Sequence, residues 1–336
     1  MFTILGFILI FFAGMSDGSF YLPMKYTRKW EWEHTWAVFS FAFFVVNWIL
    51  TFIFIPNIFE VYSSVPVGEI LILLVFGALW GVGAILFGTA LHLLGMALGY
   101  PIGLGTVACF GALVPLVTTE SENLFTYKGL LVIIGIIIAV IGIIVSSRAY
   151  KVKEDAAEEA SGERSVPLIM GLLVAIFAGV FSSFINIGFS FGENVIEHAR
   201  DLGVSDILSG TVVWSIFFSI AFLVNILYCL FLMIKRHTLK DFIGPYIKRN
   251  FSLGLVMGTL FICAVYVYSM GATCLGTWGE VPGWVLFMSV DIITGNIWGL
   301  FSGEWYGAPK DARKLLKRGM VIILCAIVVV ALSQWI

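Results

Sequence analysis

Charged side chains are scarce in this sequence. Only 12% of its 336 residues are Asp, Glu, Lys or Arg, whereas 60% are hydrophobic. A soluble domain carries about 25% charged residues, so the composition argues against a water-soluble globular fold. The 19 Lys and Arg residues are balanced by 21 Asp and Glu residues. No basic excess is left to bind nucleic acid, and we expect no such partner.

Cysteine is also sparse, and its spacing is uninformative. The five Cys residues stand singly in or beside apolar stretches, without a C-x-x-C pair or another metal-ligand spacing. Isolated cysteines of this kind are typical of small buried apolar positions, not of a disulfide framework or a zinc site. We therefore predict no metal and no bound cofactor.

Long hydrophobic runs are what the sequence has in abundance. The hydrocarbon core of a bilayer is about 30 Å thick, and a helix needs about 20 apolar residues to cross it. The first run is not a cleavable signal peptide, because it lacks a basic start and an A-x-A-like site. We predict an all-α polytopic membrane protein with ten transmembrane helices, spans 1 to 10, at residues 3–23, 35–56, 70–93, 96–119, 129–148, 167–190, 207–234, 253–273, 282–302 and 319–335.

The basic residues predict the orientation of these spans. Of the 19 Lys and Arg residues, 17 fall in loops that follow odd-numbered spans, and Lys128 and Arg200 are the exceptions. Because Lys and Arg are retained on the cytoplasmic side during insertion, we expect both termini on the outer side.

The chain divides into two similar halves. The polar stretch 149–166 separates a first five-helix repeat, 1–148, from a second one, 167–336. Residues 76–95 align without gaps with 257–276, although either this match or a shorter one between spans 1 and 6 could arise from chance apolar similarity. Since five spans is an odd number, the halves would cross the membrane in opposite senses. Such inverted-topology repeats are typical of secondary transporters that work by alternating access.

Several stretches spread over the chain resemble one known family, namely residues 20–25, 29–33 with 36, 76–83, 94–96, 284–289, 299–300 and 304–305. The resemblance is to the L-rhamnose:proton symporters, a branch of the drug/metabolite transporter superfamily. It implies proton-coupled uptake of L-rhamnose or a related deoxyhexose or hexose across a bacterial inner membrane, with periplasmic termini. The alternative is a differently coupled member of the superfamily, an exporter or exchanger of small metabolites.

The sequence also departs from the pattern of the rhamnose carriers. Those carriers have Asn, Tyr and Arg where this chain has Ala84, Phe87 and His92. They lack carboxylates at the positions of Asp17 and Asp291, and they have His in place of Phe287. The differences imply a remodelled sugar site.

Two carboxylates fall within predicted spans, Asp17 in span 1 and Asp291 in span 9. A carboxylate near the centre of a membrane helix costs at least about 2.5–3.5 kcal/mol, so it usually faces a cavity and serves function. We interpret both as proton-coupling residues facing one cavity; sodium is the alternative ion. The structural alternative for Asp17 is capping of a local helix break at residues 16–19. For Asp291 it is a pair with Asn296 or a nearby hydroxyl.

Two further titratable groups stand at the ends of spans. His92 ends span 3 and Glu280 precedes span 9; each is a candidate proton relay, and each could instead be an interfacial or solvated side chain. An intramembrane protease with Asp17 and Asp291 as an acid–base pair is the enzymatic alternative. We do not predict an enzyme, because no H-E-x-x-H or G-x-S-x-G motif occurs and no loop could hold a catalytic domain.

Span 9 provides the best predicted sugar-binding face. Trp284, Met288, Asp291, Gly295 and Trp298 recur at helical spacing on one stripe. Indole rings can stack on the C–H face of a hexose while a carboxylate binds its hydroxyls. The alternative is a stripe of helix–helix contacts.

Further polar residues complete the predicted site. Ser182 and Asn186 share a face of span 6, Tyr21 ends span 1, and Asn296 lies in span 9. Polar groups of this kind also hydrogen-bond between helices, which is the alternative for each of them.

Prolines and glycines in spans 4 and 9 predict hinges. Pro101, flanked by Gly99 and Gly103, is expected to kink span 4, and Pro282, the first residue of span 9, stands at a similar place in the second half. Ordinary glycine packing is the alternative. The expected partners are a sugar and the lipid bilayer, and the expected assembly is a monomer or homodimer.

Overall fold

The computed structural model describes residues 2–161, 168–276, 279–303 and 305–333, and the regular secondary structure within them is entirely helical. Within these ranges the side chains of 91, 92, 94–101, 154, 157–161 and 168 are outside the description. The helices begin and end as follows: α1 (Phe2–Phe20), α2 (Trp32–Phe54), α3 (Ile58–Ser64), α4 (Val67–Thr118), α5 (Tyr127–Ser161), α6 (Leu168–Ser182), α7 (Phe184–Ser190), α8 (Glu193–Asp201), α9 (Asp206–Ser209), α10 (Val213–Lys235), α11 (Ile247–Cys274), α12 (Glu280–Phe301) and α13 (Lys310–Leu332).

Nine helical segments of the described chain are long and apolar enough to cross a membrane. A shorter apolar segment, Ile102–Thr118, accompanies them in the region of predicted span 4. The prediction of a polytopic all-α membrane protein is therefore confirmed. The count of ten crossings and the inverted repeat stay predictions.

Spans 3 and 4 were expected as separate helices, but helical backbone runs through both as α4, which has 52 residues. This helix cannot be straight. A side chain added at Gly103 would overlap the ring of Phe87, although sixteen residues of straight helix would separate them by about 24 Å. Ile102 likewise packs against the buried pair Ala90 and Ala175. The backbone therefore bends back between Phe87 and Gly103, and the two segments pack together.

Span 6 was expected to be one helix, but it is interrupted at Ser183, between α6 and α7. The buried Ser183 hydroxyl donates a 2.6 Å hydrogen bond to the Val180 carbonyl. Hydroxyls that bind backbone carbonyls in this way compete with the helical ladder and bend helices. The prediction of interruptions named only spans 4 and 9, so this one was missed.

The predicted linker, residues 149–166, is helical over its first part because α5 continues to Ser161. Its residues 151–160 are mostly Lys, Glu and Ala, which favour helix strongly. Residues 162–167 lie outside the description.

The chain forms two compact units, and each draws on both predicted repeats. The first contains Met1–Val82 and Gly188–Thr277. Within it α1 packs on α11 where Gly6 faces Gly271, and α2 packs on α11 where Gly258 faces Ala42. Glycine removes the side chain at these contacts, so the backbones approach closely, as is common between membrane helices.

The second unit contains Gly83–Ile187 and Trp278–Ile336. Its main helix pair is α5 with α13. The two helices meet closely at Gly142, where an added Cβ atom would lie only 3.0 Å from the carbonyl oxygen of Gly319. A side chain at Gly135 would overlap Val330 of α13. A row of small residues therefore holds this pair together.

Basic loops expected on the same side of the membrane contact each other within each unit. In the first unit, Asn250 Nδ2 donates a 2.8 Å bond to the Arg28 carbonyl, which joins the loops after spans 1 and 7. In the second unit, Lys153 lies 5.1 Å from the centre of the Trp305 ring, and this pair joins the loops after spans 5 and 9. The orientation of the chain in the membrane stays a prediction.

Candidate functional site

Asp17 lies near the C-terminal end of α1, in uninterrupted helix. The α1 backbone is helical from Phe2 to Phe20, so residues 16–19 form no local break. Its Oδ1 atom is buried and has no hydrogen-bond partner in the part of the chain that the structure describes. The capping alternative for Asp17 is therefore not supported, since a cap requires free backbone N–H groups and a bond to one of them.

Tyr21 and Trp32 present two more polar atoms of this kind. Tyr21 follows Asp17 by four residues and keeps helical dihedral angles, with φ −78° and ψ −21°, so both side chains leave the same helix face. Tyr21 Oη and Trp32 Nε1 are both buried without a well-formed hydrogen bond to any described residue. The Trp32 side chain nevertheless lies close enough to interact with the Tyr21 hydroxyl.

Aromatic rings surround these polar atoms in the first unit. The Trp36 ring lies 5.1 Å from that of Trp32, stacked on it, and 5.8 Å from that of Tyr21. Rings continue inward from Trp36, at 4.5 Å to Phe39 and then 5.6 Å to Phe261. We call Phe20, Trp36, Phe39, Phe43, Trp80, Phe218 and Phe261 the aromatic cluster.

The buried asparagines of the first unit connect helices. Asn225 Oδ1 accepts a 2.8 Å bond from the Trp36 indole N–H, and its Nδ2 donates to the Ala221 carbonyl at 2.8 Å. Asn47 is buried beside several hydroxyl groups, and its Oδ1 accepts a 2.9 Å hydrogen bond from the Tyr266 hydroxyl. Both asparagines thus form hydrogen bonds between helices.

In the second unit, the predicted stripe on α12 divides into buried and exposed parts. Trp284, Met288 and Asp291 are buried, each with at most 3% of its surface exposed, whereas Trp298 is 37% exposed. Gly295 is partly buried between them. The stripe therefore does not lie on one continuous surface.

Trp284 and Asn186 meet the same segment of α4. The Trp284 indole N–H donates to the Val107 carbonyl at 3.2 Å, and its ring fills the space where a side chain at Gly111 would lie. Asn186 Nδ2 donates to the Gly111 carbonyl at 2.7 Å and to the Glu280 carbonyl at 3.4 Å. These bonds support the alternative that both residues hold helices together.

Asn296 is joined to α5. Its Oδ1 accepts a 2.8 Å bond from the Tyr150 hydroxyl, and both residues are buried. Tyr150 also packs edge-on against Trp305, with ring centres 4.9 Å apart. The predicted sugar ligand Asn296 thus has a structural partner that sequence reasoning did not find.

The remaining predicted residues occupy varied places. Glu280 is buried in the first turn of α12, where a helix N-terminus favours an acid. Pro282 follows in the same turn, where its missing N–H breaks no helical bond. Ser182 ends α6, and a side chain at Gly83 would contact its hydroxyl. The side chains of His92, Gly99 and Pro101 lie outside the description, although their backbone is helical.

The described residues contain no group of His, Cys, Asp and Glu that could hold a metal ion. A void of about 10 Å³ lies between Ala108, Ile143 and Ser289 in the second unit. It is apolar and too small for a sugar.

Outside the membrane spans, burial raises the pKa of the Tyr62 hydroxyl. This hydroxyl donates a hydrogen bond to the Val212 carbonyl at 2.5 Å.

The sequence did not single out Trp32, Trp36, Trp80, Tyr150 or Gly111 as site residues. The i, i+4 spacing of Trp32 and Trp36 was a usable signal, because it places two indoles on one face of α2. The contacts of Trp80, Tyr150 and Gly111 depend on which helices pack together, and one sequence does not reveal this.

The helical fold, with apolar spans and carboxylates inside them, defines a polytopic membrane protein of the transporter class. The family model described as L-rhamnose-proton symport protein (RhaT) matches residues 2–334. The chain belongs to this family, which is one of symport transporters and not of enzymes.

Curated relatives agree with this assignment. The chain is 28% identical over 327 residues to the L-rhamnose-proton symporter of Escherichia coli (strain 55989 / EAEC), a match that covers 95% of this chain and 94% of the relative. It is 27% identical over 342 residues to the L-rhamnose-proton symporter of Yersinia pestis (strain Pestoides F), with 98% of each chain covered.

Proposed function

We propose that this protein takes up L-rhamnose, or a related deoxyhexose or hexose, together with protons across the bacterial inner membrane by alternating access. The family and the names of its relatives, matched over nearly their whole lengths, support the substrate class and the coupling ion. The observation that carries the proposal within this chain is the Asp17 carboxyl group, with a buried and unpartnered oxygen inside a membrane helix.

The chemistry of a buried carboxylate explains how a proton could drive uptake. A charge inside the bilayer is costly, and a bound proton removes it. If the carrier rearranges readily only when both the proton and the sugar are bound, each ligand favours the state that the other binds. Sugar then accumulates at the expense of the proton gradient.

Asp291 is the second proposed proton-coupling residue, and the proposed relays are His92, at the predicted end of span 3, and Glu280, in the first turn of α12. Asp291 is 3% exposed, and its helix α12 is largely buried. We rank Asp291 below Asp17 as a proton-coupling residue, because Asp291 interacts with other groups of the protein, whereas Asp17 Oδ1 has no hydrogen-bond partner among the described residues.

Uptake by proteoliposomes tests the proposal. Labelled L-rhamnose should accumulate when the inside is alkaline, and a protonophore should abolish accumulation while sodium has no effect. Asp17→Asn should lose accumulation but keep exchange of external for internal sugar, because the amide binds no coupling proton. Asp241→Asn, an exposed loop change, is the control and should behave like the wild type.

Other results would replace the proposal. Exchange of sugar without any pH dependence in the wild type would favour an exchanger. Full accumulation by Asp17→Asn would show that coupling does not use this carboxyl group.

We also propose that both termini are periplasmic. The contacts between basic loops within each unit support this orientation. A C-terminal alkaline phosphatase fusion should be active and a C-terminal green fluorescent protein fusion dark; the opposite pair of results would reverse the topology.

A further inference from the structure

Three buried polar atoms without well-formed hydrogen bonds lie together at one end of α1. They are Asp17 Oδ1, Tyr21 Oη and Trp32 Nε1. Buried polar groups in proteins almost always have hydrogen-bond partners, so each exception needs an explanation. Three exceptions on adjoining side chains suggest one shared partner.

We propose that Asp17, Tyr21 and Trp32 form a subsite that binds two neighbouring hydroxyl groups of the sugar. This inference rests on the proposed function and assigns it a place in the first unit. Trp32 thereby becomes a specificity-determining residue.

The donor and acceptor set fits two adjacent hydroxyls. A carboxyl oxygen of Asp17 accepts hydrogen bonds whether or not the group carries the coupling proton, an indole N–H only donates, and a phenol does both. Each sugar hydroxyl also both donates and accepts. One hydroxyl can therefore donate to Asp17 while it accepts from Tyr21, and its neighbour can accept from Trp32.

Trp36, one turn after Trp32 in α2, is an example of an indole with a structural role. Trp36 stacks on Trp32, but its N–H donates to Asn225 at 2.8 Å. One turn of α2 thus presents a satisfied indole beside an unsatisfied one. Packing alone accounts for Trp36, and it does not account for the polar edge of Trp32.

The aromatic cluster supplies the apolar part of the subsite. Trp36 and Phe20 lie 5.8 Å and 5.0 Å from the Tyr21 ring, centre to centre. L-rhamnose is a 6-deoxyhexose, with a methyl group and a C–H face beside its hydroxyls. Rings next to the polar edge suit such a molecule better than a sugar with a hydroxyl at every carbon.

Binding to the purified full-length protein tests the subsite. We would measure the Kd for L-rhamnose by calorimetry in the wild type, in Tyr21→Phe, which removes only the hydroxyl, and in Trp32→Phe, which replaces the indole by a smaller aromatic ring without an N–H. Each variant should raise Kd about 3- to 10-fold, the value of one hydrogen bond. The controls are Tyr26→Phe, in the same short helical segment, and Trp214→Phe, which also removes a buried and unpartnered indole N–H.

Deoxygenated sugars distinguish binding from folding effects. The wild type should lose affinity for an L-rhamnose analogue that lacks the hydroxyl bound by Tyr21, and Tyr21→Phe should cause no further loss with that analogue. The same should hold for Trp32→Phe with the analogue that lacks the neighbouring hydroxyl. Because this comparison uses two ligands on one protein, a general loss of stability does not reproduce it. The comparison can be made with either variant, so the test remains possible if one of the two variants does not fold.

The outcomes separate the two proposals. If the wild type binds L-rhamnose and both variants bind it equally well, the subsite is wrong and the proposed function stands. Equal losses in the controls would also overturn the subsite. If the wild type binds neither L-rhamnose nor other deoxyhexoses and hexoses, the proposed function fails, and the subsite fails with it.

Discussion

The Trp284 ring lies directly against the α-carbon of Gly111, in the space that any larger residue at Gly111 would need. The same indole donates its N–H to the Val107 carbonyl, one turn away, and Asn186 binds the Gly111 carbonyl from α7. Gly111 therefore joins α4, α7 and α12 within the second unit.

Substitution of Gly111 by Ala should destabilise the protein. The added methyl group would overlap the indole, whose ring is fixed by its own hydrogen bond, and overpacking of this kind costs about 1–3 kcal/mol. We expect the Tm of the detergent-purified protein to fall by about 2–10 °C. Gly68→Ala is the control, because nothing lies within 4 Å of an added Cβ there; an equal loss in both variants would contradict the argument.

The two tryptophans of the predicted α12 stripe should respond differently to substitution. Trp284 is 2% exposed and Trp298 is 37% exposed. Trp284→Leu should cost about 3 kcal/mol or more, because it leaves a cavity and removes a hydrogen bond, whereas Trp298→Leu should cost less than about 1 kcal/mol. Thermal unfolding measures both; similar costs would mean that the stripe acts as one packing surface.

Much of the fold was predictable because lipid imposes long apolar runs. Span 9, predicted at 282–302, is α12 at Glu280–Phe301, and span 2, predicted at 35–56, is α2 at Trp32–Phe54. The interruption at Ser183 was not predictable, because a serine in a membrane helix commonly bonds to the preceding turn without breaking the helix. Local sequence does not decide between these outcomes.

The sequence predicted candidate site residues only where a single side chain is energetically costly inside the membrane. Asp17 was identified because a carboxylate in a membrane helix is energetically costly and therefore usually serves function. Trp32 was not found, because its significance comes from packing beside Tyr21 while Trp36, one turn away, is satisfied by Asn225. The partner of Asn296 is Tyr150, which is 146 residues distant in sequence.

Tyr150→Phe should separate structural from binding roles at Asn296. The change removes the 2.8 Å bond but keeps the ring against Trp305. We expect a loss of about 1 kcal/mol in stability and an unchanged Kd for L-rhamnose. An altered Kd with unchanged stability would instead support Asn296 as a sugar ligand whose orientation Tyr150 sets.

Glu33 and Arg236 form an unequal ion pair in the first unit. The Arg236 Nη1 lies 3.1 Å and 3.3 Å from the two carboxylate oxygens. The Glu33 side chain is fully buried, whereas that of Arg236 is 51% exposed. Removal of the arginine leaves a buried charge without its partner, while removal of the carboxylate leaves an arginine that water can still solvate.

Arg236→Gln should therefore be more damaging than Glu33→Gln. We expect losses of about 2–4 kcal/mol and about 1 kcal/mol respectively, the first reduced by the position of Glu33 in the first turn of α2, where the helix N-terminus favours a negative charge. The double variant should resemble Glu33→Gln, because no unpaired buried charge remains. A double-mutant cycle of thermal stabilities measures this coupling. If Glu33→Gln were the more damaging single change, the buried carboxylate would be stabilised mainly by groups other than Arg236, and the ion pair would not fasten α2 to the loop after α10.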